Sequence, residues 1–192
     1  MAHELEFPAE EGVLLRHPQT SFGRGDALTV PPGKAAVLYS GGAYSPVYRA
    51  GDRPALGAGL KRREGTLYLI DLSPAPAVEW GFGGVRCGSR ACGVSGTLRM
   101  QVVSPLKFLA AYAAADLPLT GRALAEGWVA PLGDAVRRCA AGLDDLRGEA
   151  LRARLARDIA EEMEEPLEQR GLCLHDLTVE MPFFPDDEEE DA

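Results

Sequence analysis

Long apolar runs are missing from this chain: nowhere do roughly 18 consecutive apolar residues occur, so no segment can cross a bilayer as a helix. Excess positive charge is missing too. Lys and Arg number 20 against 29 Asp and Glu, a net charge of −9, which argues against a nucleic-acid binder because phosphate neutralisation needs clustered bases. Histidine is scarce, with His3, His17 and His175 too few for a catalytic imidazole network. An export signal is absent from the opening residues, where Glu4, Glu6, Glu10 and Glu11 stand in place of an apolar stretch. The four cysteines, Cys87, Cys92, Cys139 and Cys173, are therefore expected to be reduced thiols in a cytoplasmic protein rather than a disulfide framework.

What is present is an ordinary globular composition, 46% apolar and 26% charged, over 192 residues, enough for one well-filled core. The acidity is unevenly placed. Asp186, Asp187, Glu188, Glu189, Glu190 and Asp191 supply six of the 29 acids, leaving 23 against 20 bases, a body near neutral at −3. Three units follow: an amino-terminal arm over residues 1–26, a single domain over 27–181, and an acidic disordered tail over 182–192.

Within the domain, residues 27–103 hold β-branched and aromatic runs punctuated by Gly and Pro, without a helical stripe. Pro31-Pro32-Gly33 marks a tight turn, and Ala35–Ser40 with Ala43–Arg49 flank Gly41-Gly42, a two-residue hairpin signal. Thr66–Leu72 is apolar on both faces, as a doubly covered strand would be. The clearest strand is Val94–Val103, with Val94, Gly96, Leu98, Met100 and Val102 on one face and Ser95, Thr97, Arg99 and Gln101 on the other.

Residues 104–171 turn to helix formers. Ser104-Pro105 supplies an N-cap and a first helical proline, and Leu106, Leu109, Tyr112 and Ala113 form the expected buried stripe, ended by Asp116–Pro118. A second helix begins at Thr120, with Leu124, Trp128, Leu132, Val136, Cys139 and Ala140 inward and Gly127 and Pro131 weakening or kinking it. A third carries Leu151, Leu155, Ile159 and Met163 at four-residue spacing. Pro166 is expected to bend or fray its end, and Gly171 to stop it. The closing strand over 172–181 changes apolar parity, which a bulge or turn near His175-Asp176 would reconcile.

The segments Leu28-Thr29-Val30-Pro31-Pro32-Gly33-Lys34-Ala35-Ala36-Val37 and Ser95–Leu109, with its strand running through Ser104-Pro105-Leu106-Lys107-Phe108 into a helix, resemble the SPFH or Band 7 (stomatin, prohibitin, flotillin) domain. The helix Glu149–Arg170, closed by Gly171 and a strand, resembles that family's second half. With Val78-Glu79-Trp80-Gly81, the likeness is closest to a bacterial, anchorless branch often labelled "virion core" proteins, and it covers roughly residues 13–181. Ser104 stands where the family carries Asp, another capping residue. With an acidic opening and a first cysteine at Cys87, the family's membrane segment, lipid-modified cysteines and long coiled coil are not expected in the sequence given. The resemblance implies a non-enzymatic scaffold that forms homo-oligomers or organises protein partners.

Cys87-Gly-Ser-Arg-Ala-Cys92 could be half of a zinc site completed by Cys139 or by Cys173 with His175. Structural zinc usually takes two close pairs, so a loop with two ordinary thiols is the simpler reading. His175 beside Asp176 has no nucleophile motif to serve, because Gly93-Val94-Ser95-Gly96 lacks the required spacing. Gly81-Phe82-Gly83-Gly84 reads as a loop rather than a phosphate cradle, since no helix follows it. Arg24-Gly25-Asp26 reads as a turn, and Glu161, Glu162, Glu164 and Glu165 as a solvated helix face. Lys61-Arg62-Arg63 could touch anionic lipid at about 1 kcal/mol per residue, enough for weak peripheral contact but not for anchoring.

The expectation is therefore an α+β fold: a strongly twisted, mostly antiparallel sheet, three helices, and a closing carboxy-terminal strand. No catalytic, cofactor-binding or metal-binding residue is assigned, and no cofactor or small-molecule substrate. A cysteine-based metal-binding or redox module, or an enzyme with an unrecognised site, is the alternative.

Overall fold

The computed structural model describes residues 3–7, 11–57, 62–87, 90–115, 117–143 and 148–181; Lys61, Asp116 and the acidic tail 182–192 lie outside them. Four short strands come first: β1 (His3–Leu5), β2 (Leu14–Arg16), β3 (Ser21–Phe22) and β4 (Asp26–Leu28). The stretch read as an arm consists of extended pieces built into the body. Leu14 and Phe22 are fully buried, and β1 pairs with β4 in parallel.

The turn at Pro31-Pro32-Gly33 is present, with Gly33 at φ +72° and the Lys34 N–H donating to Pro31 O at 3.2 Å. From it runs β5 (Lys34–Ser40), which reverses at Gly41 and Gly42, both at positive φ as a tight hairpin requires. The return comes in two pieces, β6 (Ala43–Tyr44) and β7 (Tyr48–Arg49). Between them Ser45 turns its N–H to Leu38 O and Pro46 has none to give. After β8 (Arg63–Glu64), which pairs with β3, comes β9 (Thr66–Asp71). The order β2-β9-β5-β6, with β7 also on β5, makes a five-stranded antiparallel sheet.

That sheet is covered twice. Leu67 and Leu69 of β9 join Leu5, Phe22, Leu28 and Leu38 in a smaller apolar cluster, while Tyr68 and Ile70 point into the main core. The doubly apolar pattern of Thr66–Leu72 is thereby explained.

A second antiparallel sheet consists of β10 (Val78–Cys87), β11 (Arg90–Val102) and β12 (Leu172–Leu177), in that order. The β-zone is thus divided between two main sheets rather than running as one. Ser73-Pro74-Ala75-Pro76 separates β9 from β10, and its two prolines cannot donate to a ladder. A polar seam joins the sheets instead: Gln101 Nε2 donates to Leu72 O (2.7 Å), Arg99 Nε to Ala75 O (3.1 Å), and the Ala75 N–H to Met100 O (2.8 Å). Along β11 the apolar alternation holds, with Val94, Gly96, Leu98, Met100 and Val102 buried.

β11 passes through Ser104 into α1 (Pro105–Tyr112). Ser104 has the extended N-cap conformation, yet its hydroxyl makes no capping bond; its carbonyl starts the helix, accepting from the Phe108 N–H at 2.9 Å. The inward residues of α1 are Phe108 and Leu109, whereas Leu106, expected inside, is 41% exposed. Position 106 lies on the first turn, outside the face that Phe108 and Leu109 present to the core. The expected second helix is broken at Gly127-Trp128 into α2 (Gly121–Glu126) and α3 (Val129–Ala140). Thr120 caps α2 by accepting from the Ala123 N–H at 3.1 Å, and Pro131 falls in the first turn of α3, where it is tolerated.

α4 (Gly148–Gln169) buries Leu155, Ile159, Met163 and Leu167. It runs on past Pro166, which is exposed, so solvent can serve the carbonyl deprived of its donor. Gly171, at φ +74°, ends the helix and returns the chain as β12 beside β11. Against Met100 and Arg99 the partners are Leu174 and Asp176, so His175 is the extra residue of a bulge that restores parity. The two main sheets are mostly antiparallel, and together with the helices and the closing strand they make the α+β fold read from the sequence.

Candidate functional site: paired thiols at a hairpin tip

The β10–β11 hairpin brings Cys87 and Cys92 together, with the two sulfurs 3.1 Å apart. Their meeting depends on one local irregularity. Up to Phe82, which pairs with Val94, the even residues Val78, Trp80 and Phe82 face the core. The register then shifts between Phe82 and Val85, with Gly84 at φ +66°. Gly83-Gly84 is therefore a bulge inside a strand, not the loop read from the sequence. Glycine is needed there because other side chains resist positive φ. The shift moves the odd residues Val85 and Cys87 onto the inner face, opposite Cys92 and Arg90. Unshifted pairing would leave the two thiols on opposite faces of the hairpin.

The two thiols are not equivalent. Cys92 is buried at 4% exposure and its Sγ lies 3.4 Å from Val85 O, whereas Cys87 is partly exposed. Burial, the S–H···S contact with Cys92 and the charge Cys92 would carry push the Cys87 thiol up to about 12. The Cys87 sulfur is thus neutral at physiological pH, so no repulsion between two thiolates holds the pair apart.

The other cysteines lie elsewhere. Cys173 pairs with Gln101, nine positions along β11 from Cys92, roughly 30 Å away at strand rise. Cys139 sits at the α3–α4 seam, in an open groove of about 460 Å³ lined also by Arg138, Arg154, Asp158, Glu161 and Glu162. Burial first, then the nearby Glu162 and Asp158 carboxylates, push its thiol up. The acids of that groove are partly engaged, with Arg138 on Glu162 at 2.8 Å and Arg154 on Asp158 at 2.7 Å. Among the described residues, no group of three or more His, Cys, Asp or Glu is arranged to hold a metal ion.

His175 is exposed at its bulge, and Ser95 uses its backbone to bridge Glu180. Asp26 closes the Arg24-Gly25-Asp26 turn by accepting from the Gly23 N–H at 2.7 Å. His17 is one that sequence reasoning placed too far out: it is buried, takes a hydrogen bond from the Gln19 N–H on Nδ1 (3.1 Å) and reaches Glu6 O through Nε2 (2.9 Å). That pairing fixes the neutral tautomer with the proton on Nε2, a structural role. Arg62 is tied to β3 through Ser21 O and Oγ, both at 2.9 Å, so one member of the basic triplet is engaged within the chain.

No helix among the described residues is long and apolar enough to cross a membrane. Compared with protein-family models and with curated proteins, the chain matches none of them.

Proposed function

We propose that this chain is a non-enzymatic scaffold of the SPFH type, acting in the cytoplasm by self-association and by organising partner proteins. The observation that carries the reading is the strand-to-helix junction and its closure. β11 enters α1 through Ser104-Pro105 without a connecting loop, and Gly171 O accepts from the Val103 and Ser104 N–H groups as the chain returns to β12. A Cβ on Gly171 would lie 2.3 Å from Ser104 O, so glycine is required where the two segments meet. This order of elements supports the family likeness, and the role in assembly rests on that likeness, since a fold alone does not fix a function. Beside the junction, Val103 and Leu106 are 53% and 41% exposed, apolar surface of the kind that assembly interfaces use. Contact with membranes is weak and electrostatic in this reading, because Arg62 is already engaged with β3.

Light scattering on the purified chain over a concentration series, with flotation on anionic and neutral vesicles, tests this. Oligomers larger than one chain, with flotation confined to anionic vesicles at low salt, are expected. A strictly monomeric species at the highest concentration, with no stable complex recovered from lysate, overturns the scaffold. Flotation that survives high salt overturns the weak-contact part alone.

A further inference from the structure

We propose that Cys87 and Cys92 are a thiol-redox site, closing to an intramolecular disulfide on reaction with a low-molecular-weight disulfide. The sulfurs already stand 3.1 Å apart, so closure to a bond of roughly 2 Å needs side-chain rotation of about 1 Å rather than rearrangement of the strands. Both lie on one face of one hairpin, in the register that the Gly83-Gly84 bulge sets. Two thiols without a third or fourth ligand among the described residues make a disulfide site rather than a closed zinc site, which takes four.

The unequal exposure orders the steps. Cys87, the accessible thiol, loses its proton, readily only at alkaline pH because burial and Cys92 raise its thiol, and its sulfur attacks one sulfur of the oxidant. The oxidant's S–S bond breaks, and one half leaves as a thiol carrying that proton. The buried Cys92 sulfur then attacks the Cys87 sulfur of the mixed disulfide and gives its proton to the second departing thiol. Two protein thiols are oxidised, and one small disulfide is reduced to two small thiols.

The bond would fasten the hairpin in its bulged register. A one-residue slip of β10 would carry Cys87 to the opposite face, where it could not reach Cys92. Before the bulge, Phe82 packs against α3, where a Cβ on Gly133 would meet the ring at 2.8 Å and Arg137 stands 5.8 Å from its centre. Oxidation therefore fastens the two strands of the hairpin to each other, and it does so whether or not the chain self-associates.

The full-length chain is incubated with oxidised glutathione, quenched with acid, and analysed by intact mass and by thiol counting under denaturing conditions. Two of the four thiols should disappear with a loss of two hydrogen atoms and no added glutathione. Trypsin, cutting after Arg86 and Arg90, should then release two peptides joined through Cys87 and Cys92. Cys92→Ser should stop at a stable glutathione adduct on Cys87, which also reports that the variant is folded and its outer thiol reachable. Cys139→Ser and Cys173→Ser should close like the parent. A link through Cys139 or Cys173, a bridge between chains, or four thiols persisting while Cys92→Ser accepts glutathione would each overturn the proposal. So would stoichiometric zinc on the untreated chain that is lost in both Cys87→Ser and Cys92→Ser.

Discussion

The central strands of the five-stranded sheet, β5 and β9, are buried on both faces, whereas the three-stranded sheet packs one face on the helices and leaves the other half wet. On β9, a one-residue slip would exchange Leu67 and Leu69 for Tyr68 and Ile70, apolar for apolar. Polarity cannot choose the register there, so contacts at the strand ends, such as the Lys34–Asp71 pair between β5 and β9, must help to do so. On β11 the same slip would bury Arg99 and Gln101 and expose Leu98 and Met100, so alternation alone is decisive. The price of that strictness is that its neighbours need bulges, at Gly83-Gly84 and at His175, to keep their own apolar residues inward.

The comparison breaks if the two apolar clusters are independent. Phe22 is fully buried in the smaller one and Phe108 in the larger. Phe22→Ala and Phe108→Ala should each lower stability by about 3–5 kcal/mol in urea melts. Because β5 and β9 wall both clusters, both substitutions should shift one shared transition. Trp80 and Trp128 lie in the larger cluster, so fluorescence reports on it while far-ultraviolet circular dichroism sees both. A Phe22→Ala variant whose circular dichroism transition runs ahead of its fluorescence would show the smaller cluster unfolding alone.

A smaller effect probes how the doubly covered sheet holds its register. Lys34 Nζ and Asp71 lie 2.7 Å apart across paired strand ends. Burial pushes the Asp71 carboxyl up, but hydrogen bonds from Lys34 and Ser73 and the Lys34 charge outweigh it and hold it below its ordinary value. A lowered folded-state value means the contribution is present above the unfolded carboxyl range, about 4, and is lost as pH falls through the lower folded value. Asp71→Asn should cost about 1 kcal/mol at neutral pH, and its deficit against the parent should shrink in acid. An equal deficit at pH 7 and pH 3 would mean that the ion pair contributes nothing to holding the register.

The same contrast explains what could be read from the residues alone. β11, the hairpin glycines, the helix start at Thr120 and α4 were legible because each declares itself through short-range pattern or turn chemistry. The bulge at His175 was legible because two parities collided within one run. The bulge at Gly83-Gly84 was not, since glycines carry no polarity and the shift shows only against a partner strand. With it went the meeting of Cys87 and Cys92. The burial of His17 was hidden for a similar reason: its partners, Glu6 O and the Gln19 N–H, are backbone groups that any sequence would supply. Leu106 misled because its spacing fits a stripe, while the angle at which α1 leaves β11 is set by the tertiary fold.

The least effect is expected on the wet face of the three-stranded sheet, where it sharpens the comparison most. Thr178 Oγ1 accepts from the Thr97 N–H at 2.9 Å and lies 2.8 Å from the Thr97 hydroxyl, and both contacts are solvent-exposed. Thr178→Val keeps the branched shape and removes the hydroxyl, so it should cost only about 0.5 kcal/mol. Water can replace the lost partner at an exposed N–H, whereas a buried group so abandoned would bear its full desolvation penalty. The substitution leaves the backbone bonds that flank it, Thr178 N–H to Thr97 O and Glu180 N–H to Ser95 O, in place. A loss above about 2 kcal/mol in the same urea melts would match a buried group rather than a wet one. That face would then be covered in solution, and the two sheets would no longer differ in the way described.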